Sequence, residues 1–240
     1  MAKGKNDECS AATARDALRE RASKEQAAVA ARFFKTGKGQ YGEGDVFIGV
    51  RVPAIREVVK THRTLPDEEV LSLLHSAIHE ERMLALLVWV HQFERAEEQR
   101  QKEIHEKYLE HRAHVNNWDL VDCSAPALVG TFLLERKRKV LDELYKSESL
   151  WDRRIAVVAT LGLLREGELE DTFRLAEKSF EEKEDLMHKA VGWMLREAGK
   201  KDVDALRAFL KKHHKKLPRT ALRYAIERFD PKERARWMEK

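Results

Sequence analysis

Residues 151–164 of this 240-residue chain are WDRRIAVVATLGLL, and this stretch decides the fold. Apolar residues recur in it at spacings of three and four, which is typical of a helix with one buried face. The members of that face are Ile155, Val158, Ala159, Leu161 and Gly162. The same spacing appears at 83–93 and at 190–194, and alternating apolar and polar runs extend over a few positions at most. The pattern predicts an all-α protein of about twelve or thirteen helices.

The same stretch belongs to a weak internal repeat. Trp118-Asp119 recurs 33 positions later as Trp151-Asp152. Four helices then begin with a basic residue followed by an apolar run, and the basic residues are Arg82, Arg154, Lys189 and Arg219. A period of 30–36 residues in a helical chain predicts stacked helix pairs, an α-solenoid. Because stacked pairs curve, we expect repeated basic side chains such as Lys189 to line a concave, electropositive groove.

Composition limits the alternatives. Glycine and proline together are 16 of 240 residues, which argues against sandwiches, barrels and disordered linkers. The length predicts one domain over residues 1–240, with 1–25 left open as an ordered helix or a looser segment. No apolar run is long enough to span a bilayer, and the first residues lack a secretion signal. We therefore expect a soluble, cytoplasmic protein, with a monomer as the default.

Positive charge is concentrated in parts of the chain. The net charge is +4, but residues 201–240 contain 13 Lys and Arg against 6 Asp and Glu. Basic clusters occur at 136–139 and at 211–216. Such clusters can neutralise phosphates, or they can be solvated helix faces, and the sequence leaves both interpretations open.

One short segment combines an aromatic ring with a carboxylate. Asn117 is a good N-cap, so a helix is predicted to begin near Trp118. Trp118 and Asp122 are then one turn apart on the same face. An indole face and a carboxylate together suit a cationic ligand. The alternative is that Trp118 belongs to the core and Asp122 is a structural cap or ion-pair partner.

Two residues of later repeat copies fit the same hypothesis. Trp193 is either a second aromatic wall or a core residue. Arg154 either contacts a phosphate or pairs with an acidic residue of a neighbouring repeat.

Other site classes have weaker support. His75 and His79, and likewise His111 and His114, have spacings seen in metal sites, but no third ligand is evident and no metal is expected. Residues 37–49 contain five of the eleven glycines, yet they lack the Gly-Lys-Ser/Thr ending of a phosphate loop. Neither of the two cysteines, Cys9 and Cys123, has a sequence context that supports a thiol nucleophile.

Four motifs in order resemble the AlkD-type DNA alkylation-repair glycosylases, a family of HEAT-like repeat proteins. The resemblance runs from about Arg32 to about Phe229. It rests on FFKTG with GQYGEGD and FIGVRVP at 33–53, WDLVD at 118–122, WDRRIA at 151–156 and KAVGWMLRE at 189–197.

The resemblance implies a function and a set of residues. It implies hydrolysis of the N-glycosidic bond of cationic purines, such as N3-methyladenine and N7-methylguanine, in double-stranded DNA, without a cofactor. The family's catalytic aspartate falls on Asp122, its cleft tryptophans on Trp118 and Trp193, and its site arginine on Arg154. Backbone contacts fall on Arg51, Arg56 and Arg196, while Phe33 and Arg51 replace a tyrosine and a glutamine of some members.

The resemblance also implies that the protein grips the duplex backbone and need not enclose the base. Two alternatives stay open from the sequence. One is a non-catalytic DNA-binding protein on the same scaffold that recognises damaged or branched DNA. The other is a helical scaffold for a protein partner.

Overall fold

Helix-start signals in the sequence coincide with helix starts in the computed structural model, which describes residues 9–239. Asp230 accepts hydrogen bonds from the backbone N–H groups of Lys232 and Glu233, so it caps a helix whose first residue is Pro231. Asp67, Glu68 and Glu69 occupy the first turn of their helix, where the positive end of the helix dipole favours acidic residues. The sequence predicts both starts, from the pair Asp230-Pro231 and from the three acids that follow Pro66, and the structure confirms them.

The described residues form fourteen α-helices and no β-strand, with one isolated bridge between Val46 and Ile78. The chain divides into two compact units, residues 1–124 and 125–240. The helices up to the boundary are α1 Ala11–Arg19, α2 Lys24–Phe33, α3 Val52–His62, α4 Asp67–Leu74, α5 His79–Phe93, α6 Glu98–Glu110 and α7 Trp118–Ala125. The others are α8 Lys139–Tyr145, α9 Leu150–Arg165, α10 Glu170–Lys178, α11 Asp185–Lys201, α12 Val203–His213, α13 Arg219–Ala225 and α14 Pro231–Met238.

The N-terminal segment is partly described. Ser10 caps α1 by accepting a hydrogen bond from the backbone N–H of Thr13, so residues 11–19 are an ordered helix. Residues 1–8 lie outside the described part of the chain. The prediction of one domain over 1–240 stays a prediction.

The core of the N-terminal unit is built around α5. This helix packs against α1, α3, α4 and α6. Trp89 is fully buried on it, and its indole N–H donates to Asp67 of α4 at 3.1 Å. Asp67 also accepts from Arg100 of α6 at 2.6 and 2.7 Å. Burial opposes ionisation, but these bonds, with Arg100 the strongest, hold the pKa of Asp67 well below its usual range.

The C-terminal unit shows the helix-pair repeat. Helices α9, α11 and α13 pack side by side, and α8, α10 and α12 pack against them. Arg154, Lys189 and Arg219 fall near the starts of α9, α11 and α13, and Arg82 holds the same place in α5. The sequence repeat therefore marks equivalent helices, and the all-α, helical-repeat prediction is confirmed. The concave basic groove is a property of the assembled repeats and stays a prediction.

Close helix contact in this unit depends on Gly162 of α9. A Cβ atom added there would lie 2.3 Å from the carbonyl oxygen of Pro126 and 2.5 Å from the backbone nitrogen of Thr131. These are backbone atoms of the short helical segment 126–133 and cannot rotate away.

We expect Gly162→Ala to lower the free energy of unfolding by about 3 kcal/mol, because the backbones must separate. Gly199→Ala is the matched control, since its Cβ would meet the flexible side chain of Leu206 at 2.4 Å. That control should change stability by less than about 1 kcal/mol. Urea denaturation measures both variants, and equal effects would contradict the packing argument.

The sequence contains no apolar run long enough to span a bilayer, and the helices of the structure can be compared with that prediction. Within the described residues, none of the helices combines the length and apolar character needed to cross a bilayer.

Candidate functional site

The segment that combines Trp118 with Asp122 is the helix α7. It begins at Trp118 as predicted, and the backbone N–H of Val121 donates to the Asn117 carbonyl at 3.1 Å. Asn117 is fully buried, while Trp118 and Asp122 are both part-exposed. One helical turn separates these two side chains, so both lie on one part-exposed face of α7.

Trp118 is one ring of an aromatic group that also contains Phe33, Phe34 and Phe47. Phe34 stacks on Trp118 with ring centroids 5.2 Å apart, and on Phe47 at 5.0 Å. Phe33 meets Trp118 edge-on at 5.9 Å and is 63 % exposed. Trp118 is itself part-exposed, so its ring is not sealed inside the core.

A cavity of about 380 Å³ lies beside these rings. Its walls are mainly apolar and include Phe33, Phe34 and Phe47, while His79 and Asp119 supply part of its polar lining. Apolar walls reduce the effective dielectric around that polar pair, which strengthens its electrostatic interaction.

The first turn of α5 holds four consecutive buried ionisable residues, from His79 to Arg82, each between 2 and 4 % exposed. Glu80 accepts backbone N–H bonds from the loop residues 48, 49 and 50 at 2.8 to 3.2 Å. Glu81 pairs with Arg15 of α1 at 2.9 Å. Buried charges need partners of this kind. This turn therefore anchors both the glycine-rich loop and α1 to the core helix.

Gly49 shows why the loop needs glycine where it meets α5. Its φ angle is +82°, and a Cβ atom there would lie 2.1 Å from the Ser23 carbonyl oxygen. Glycine adopts this conformation without steric cost and admits the close approach.

His79 joins the glycine-rich loop to α7. Its Nδ1 lies 3.2 Å from Asp45 Oδ2, and its Nε2 lies 2.8 Å from Asp119 Oδ2. The other oxygen of Asp45 accepts from Arg82 at 2.5 Å, and Asn117 Nδ2 donates to Asp45 Oδ2 at 2.8 Å. Since each ring nitrogen faces a carboxylate, both must carry a proton, and His79 is an imidazolium.

The charges in this network shift two pKa values in opposite directions. Burial by itself would lower the pKa of His79, but the bonds to Asp119 and Asp45 outweigh it and raise that pKa. Burial opposes ionisation of Asp45, yet His79, Arg82 and Asn117 hold its pKa below the usual value. Both shifts favour the ionised forms of His79 and Asp45.

His79→Gln should lower the free energy of unfolding by about 3 kcal/mol at pH 6, because it leaves Asp119 and Asp45 without their shared cation. The folded-state pKa of His79 is raised, so its stabilisation is complete below the unfolded-state pKa and is lost as pH rises through the folded-state pKa. The difference between wild type and variant should therefore shrink from pH 6 to pH 9 in urea titrations. His75→Gln is the control, and a gap independent of pH would refute the charged-His79 assignment.

The candidate DNA contacts of the N-terminal unit differ in how they are paired. Arg51 donates two hydrogen bonds to Gln26 Oε1, at 2.9 and 3.1 Å, and stays exposed. Arg56 is exposed and makes no hydrogen bond or salt bridge with the side chains and backbone of residues 9–239. Arg56 is thus the more available cation of the two.

The thiol of Cys123 lies near the carboxylates of Asp119 and Asp122. Burial, reinforced by the nearby Asp119 and Asp122 carboxylates, raises the pKa of Cys123 far above its ordinary value. The raised pKa favours the neutral thiol form of Cys123.

The candidate residues of the C-terminal unit lie on α9 and α11. Trp193 is part-exposed, and its indole N–H donates to Glu197 at 3.2 Å. Lys189 pairs with Asp185 at 2.7 Å, and Arg196 pairs with Glu227. Arg154 is 4 % exposed and donates to the carbonyl of Leu186 at 2.5 Å. That bond gives Arg154 a structural role, and its contact with a phosphate stays a prediction.

Some basic residues serve the fold instead of a binding surface. Arg82 is buried and neutralises Asp45, so in that repeat the basic residue is paired inside the protein. In the cluster 136–139, Arg138 bonds to Asp171 at 2.7 Å and also to Glu168. Arg138 is therefore neutralised within the protein by two acidic side chains.

The fold separates His79 from His75 but keeps His111 and His114 together, both beside His75. His75 lies 3.2 Å from His111, nitrogen to nitrogen, and its ring packs against His114, whereas His79 faces Asp45 and Asp119. Across residues 9–239 there is no group of three or more His, Cys, Asp or Glu side chains suited to a metal ion.

Helix pairs repeated along the chain, with an aromatic ring and a carboxylate on one accessible helix face, define a helical-repeat protein with a candidate cation-binding site. A family model described as DNA alkylation repair enzyme matches residues 14–229, and the chain belongs to that family. Membership assigns the protein to DNA alkylation repair. No curated protein matches the sequence.

A solved structure supports the fold assignment. It is described as "Predicted DNA alkylation repair enzyme from Enterococcus faecalis", with a TM-score of 0.69 and 18% identity. The match covers 88% of this chain and 98% of that one. At this identity the likeness supports the fold alone.

Proposed function

We propose that the protein is a DNA glycosylase that hydrolyses the N-glycosidic bond of cationic alkylated purines and leaves an abasic site. Its substrates would be lesions such as N3-methyladenine and N7-methylguanine in double-stranded DNA. The observation that carries the proposal is the part-exposed pair Trp118 and Asp122 on one face of α7, in a chain of the DNA alkylation repair enzyme family.

The chemistry of this lesion class needs few groups. An alkylated purine already carries a positive charge, so its glycosidic electron pair leaves with the base and no general acid is needed to protonate it. The deoxyribose then acquires oxocarbenium character, and a water attacks C1′ and loses a proton. In the proposed mechanism, the Asp122 carboxylate stabilises that positive charge and orients the water.

The aromatic groups act on the same developing charge. The face of Trp118 attracts the cationic sugar by a cation–π interaction, and its stacking on Phe34 holds the ring in place. Phe33, exposed beside Trp118, is proposed to contact the DNA near the lesion. Trp193 is proposed as a second aromatic contact with the sugar and backbone.

The basic residues are proposed to hold the DNA backbone, which carries no sequence information but sets the register. Arg154 is assigned to a phosphate beside the lesion. The other proposed backbone contacts are Arg51, Arg56, Lys189 and Arg196. Selectivity in this scheme comes mainly from leaving-group charge.

Incubation with duplex DNA containing 7-methylguanine, followed by detection of abasic sites, tests the proposal directly. We expect base release by wild type and none above background by Asp122→Ala. If wild type binds the duplex but releases no base, the proposal is wrong and the protein is a non-catalytic DNA-binding member of the family. A failure to bind DNA would favour a scaffold for a protein partner.

Arg56→Ala should reduce the salt dependence of duplex binding, lowering the slope of log K against log salt by about 1. The reason is that Arg56 is exposed with no competing protein partner among residues 9–239. Lys60→Ala is the control, because Lys60 already pairs with Glu57 at 2.7 Å. Fluorescence anisotropy at several salt concentrations measures the slopes, and an unchanged slope would remove Arg56 from the interface.

A further inference from the structure

His79 is a buried ionisable group to which the proposed chemistry gives no task. We propose that His79 is a positioning residue for base release: its imidazolium fixes the first turn of α7 and so sets the directions of Trp118 and Asp122. This inference rests on the proposed function and adds to it a residue that touches neither DNA nor the reacting atoms. Three separate contacts carry it.

The first contact is direct. His79 Nε2 donates to Asp119 Oδ2 at 2.8 Å, and Asp119 lies between Trp118 and Asp122 in the first turn of α7. The other oxygen of Asp119 accepts the backbone N–H of Leu120 at 2.9 Å. A carboxylate held from both sides cannot swing, so the rotation of α7 about its own axis is restrained.

The second contact passes through the glycine-rich loop. Asp45 Oδ2 accepts hydrogen bonds from His79 Nδ1 at 3.2 Å and from Asn117 Nδ2 at 2.8 Å. The Asn117 side-chain oxygen in turn accepts the backbone N–H of Trp118 at 2.8 Å. His79, Asp45 and Asn117 thus form a hydrogen-bonded chain that ends on the first residue of α7.

The third contact is made by stacked rings. The His79 ring packs on Phe47 at 4.5 Å and lies 5.1 Å from Phe34. Phe34 stacks on Trp118 at 5.2 Å. Through Phe34, the His79 ring therefore supports the Trp118 indole. The same imidazole restrains the Trp118 backbone through Asp45 and Asn117.

The arrangement requires a proton on each nitrogen of His79. The charged groups that face it are Asp45 from the loop, Asp119 from α7 and Arg82 from α5. Two carboxylates and two cations balance. If His79 loses a proton, one nitrogen lone pair faces a carboxylate oxygen, and that contact must open. The direction of Trp118 should then change with the protonation of His79.

Wild-type protein gives the first test without any substitution in the network. In ¹⁵N-labelled protein, the Trp118 indole N–H signal, assigned with Trp118→Phe, should shift with pH at the midpoint of the His79 ring signals. His79→Gln should abolish that shift, whereas the control His75→Gln should keep it. If the chemical shift of the Trp118 indole N–H does not change as His79 titrates, the positioning role is wrong.

Single-turnover release of 7-methylguanine gives the second test. The wild-type rate constant should fall at least tenfold as pH rises through the His79 midpoint. The rate constant of His79→Gln should be low at every pH and should not show that decrease. Affinity for an abasic-analogue duplex should stay within twofold, because His79 does not contact DNA. Asp119→Asn removes the direct contact alone and should slow release less than His79→Gln, which removes all three. The double variant should be no slower than His79→Gln, because the contact with Asp119 is already lost there.

The two failures are distinguishable. If His79→Gln keeps the wild-type rate and pH profile, the positioning role is wrong and the glycosylase proposal stands. If wild type releases no base, the proposed function is wrong, and the indole titration still decides whether His79 orients Trp118.

Discussion

Asp122→Asn is expected to slow the release of 7-methylguanine from duplex DNA by about 10³-fold, or about 4 kcal/mol of activation free energy. The substitution keeps the shape of a part-exposed side chain on α7 and removes its charge. The lost charge is the group proposed to stabilise the oxocarbenium-like sugar. The bound base is cationic and leaves as a neutral molecule, so the positive charge moves to the sugar, where Asp122 is the proposed stabilising carboxylate.

Single-turnover kinetics with saturating protein measure this effect free of DNA binding. Asp16→Asn is the matched control, since Asp16 is a largely exposed acid of α1 that pairs only with nearby Arg19 at 3.1 Å. The control should release base at the wild-type rate. A rate for Asp122→Asn within about threefold of wild type, under 1 kcal/mol, would show that Asp122 is not the catalytic carboxylate.

Trp118→Leu should reduce the rate of base release by about 30-fold, which corresponds to about 2 kcal/mol of cation–π stabilisation in a desolvated site. Leucine preserves apolar contact with Phe34 but has no π face toward the sugar. Trp118→Phe restores an aromatic face and should recover most of the lost rate.

Trp237→Leu supplies the control for loss of an indole elsewhere. Trp237 lies on α14 and donates to Glu233 at 3.3 Å. Its substitution should leave base release unchanged. If Trp118→Leu and Trp118→Phe are equally slow, the indole acts by shape and not through its π electrons. If Trp118→Leu keeps the wild-type rate, the ring has no part in the chemistry.

Much of the fold was predictable because local sequence specifies it. Apolar spacing and caps such as Asp230 act within a few residues, so the helix at Pro231 and the start of α7 at Trp118 were both predictable. The repeat placed Arg154, Lys189 and Arg219 near the starts of helices that do pack side by side.

The candidate site was predictable in part. The pairing of Trp118 with Asp122 follows from helical periodicity. The Asp45–His79–Asp119 network does not, because its members are 34 and 40 residues apart. A signal was present in the four consecutive ionisable residues 79–82 at the start of an apolar helix. From sequence, such a run is interpreted as a solvent-exposed helix end. In the structure all four residues are buried.

The sequence by itself determined that this protein is a helical-repeat member of a DNA alkylation repair family, with an indole and a carboxylate one turn apart. Helix formation and the spacing of side chains along a helix depend on residues close together in the chain, so they can be read from the sequence. Only the tertiary structure shows that His79 pairs with two aspartates and that Arg82 forms an ion pair with Asp45. The same holds for the stacking of Trp118 on Phe34. The charge state and orientation of these groups depend on burial and on partners from distant segments, and both exist only after the chain has folded.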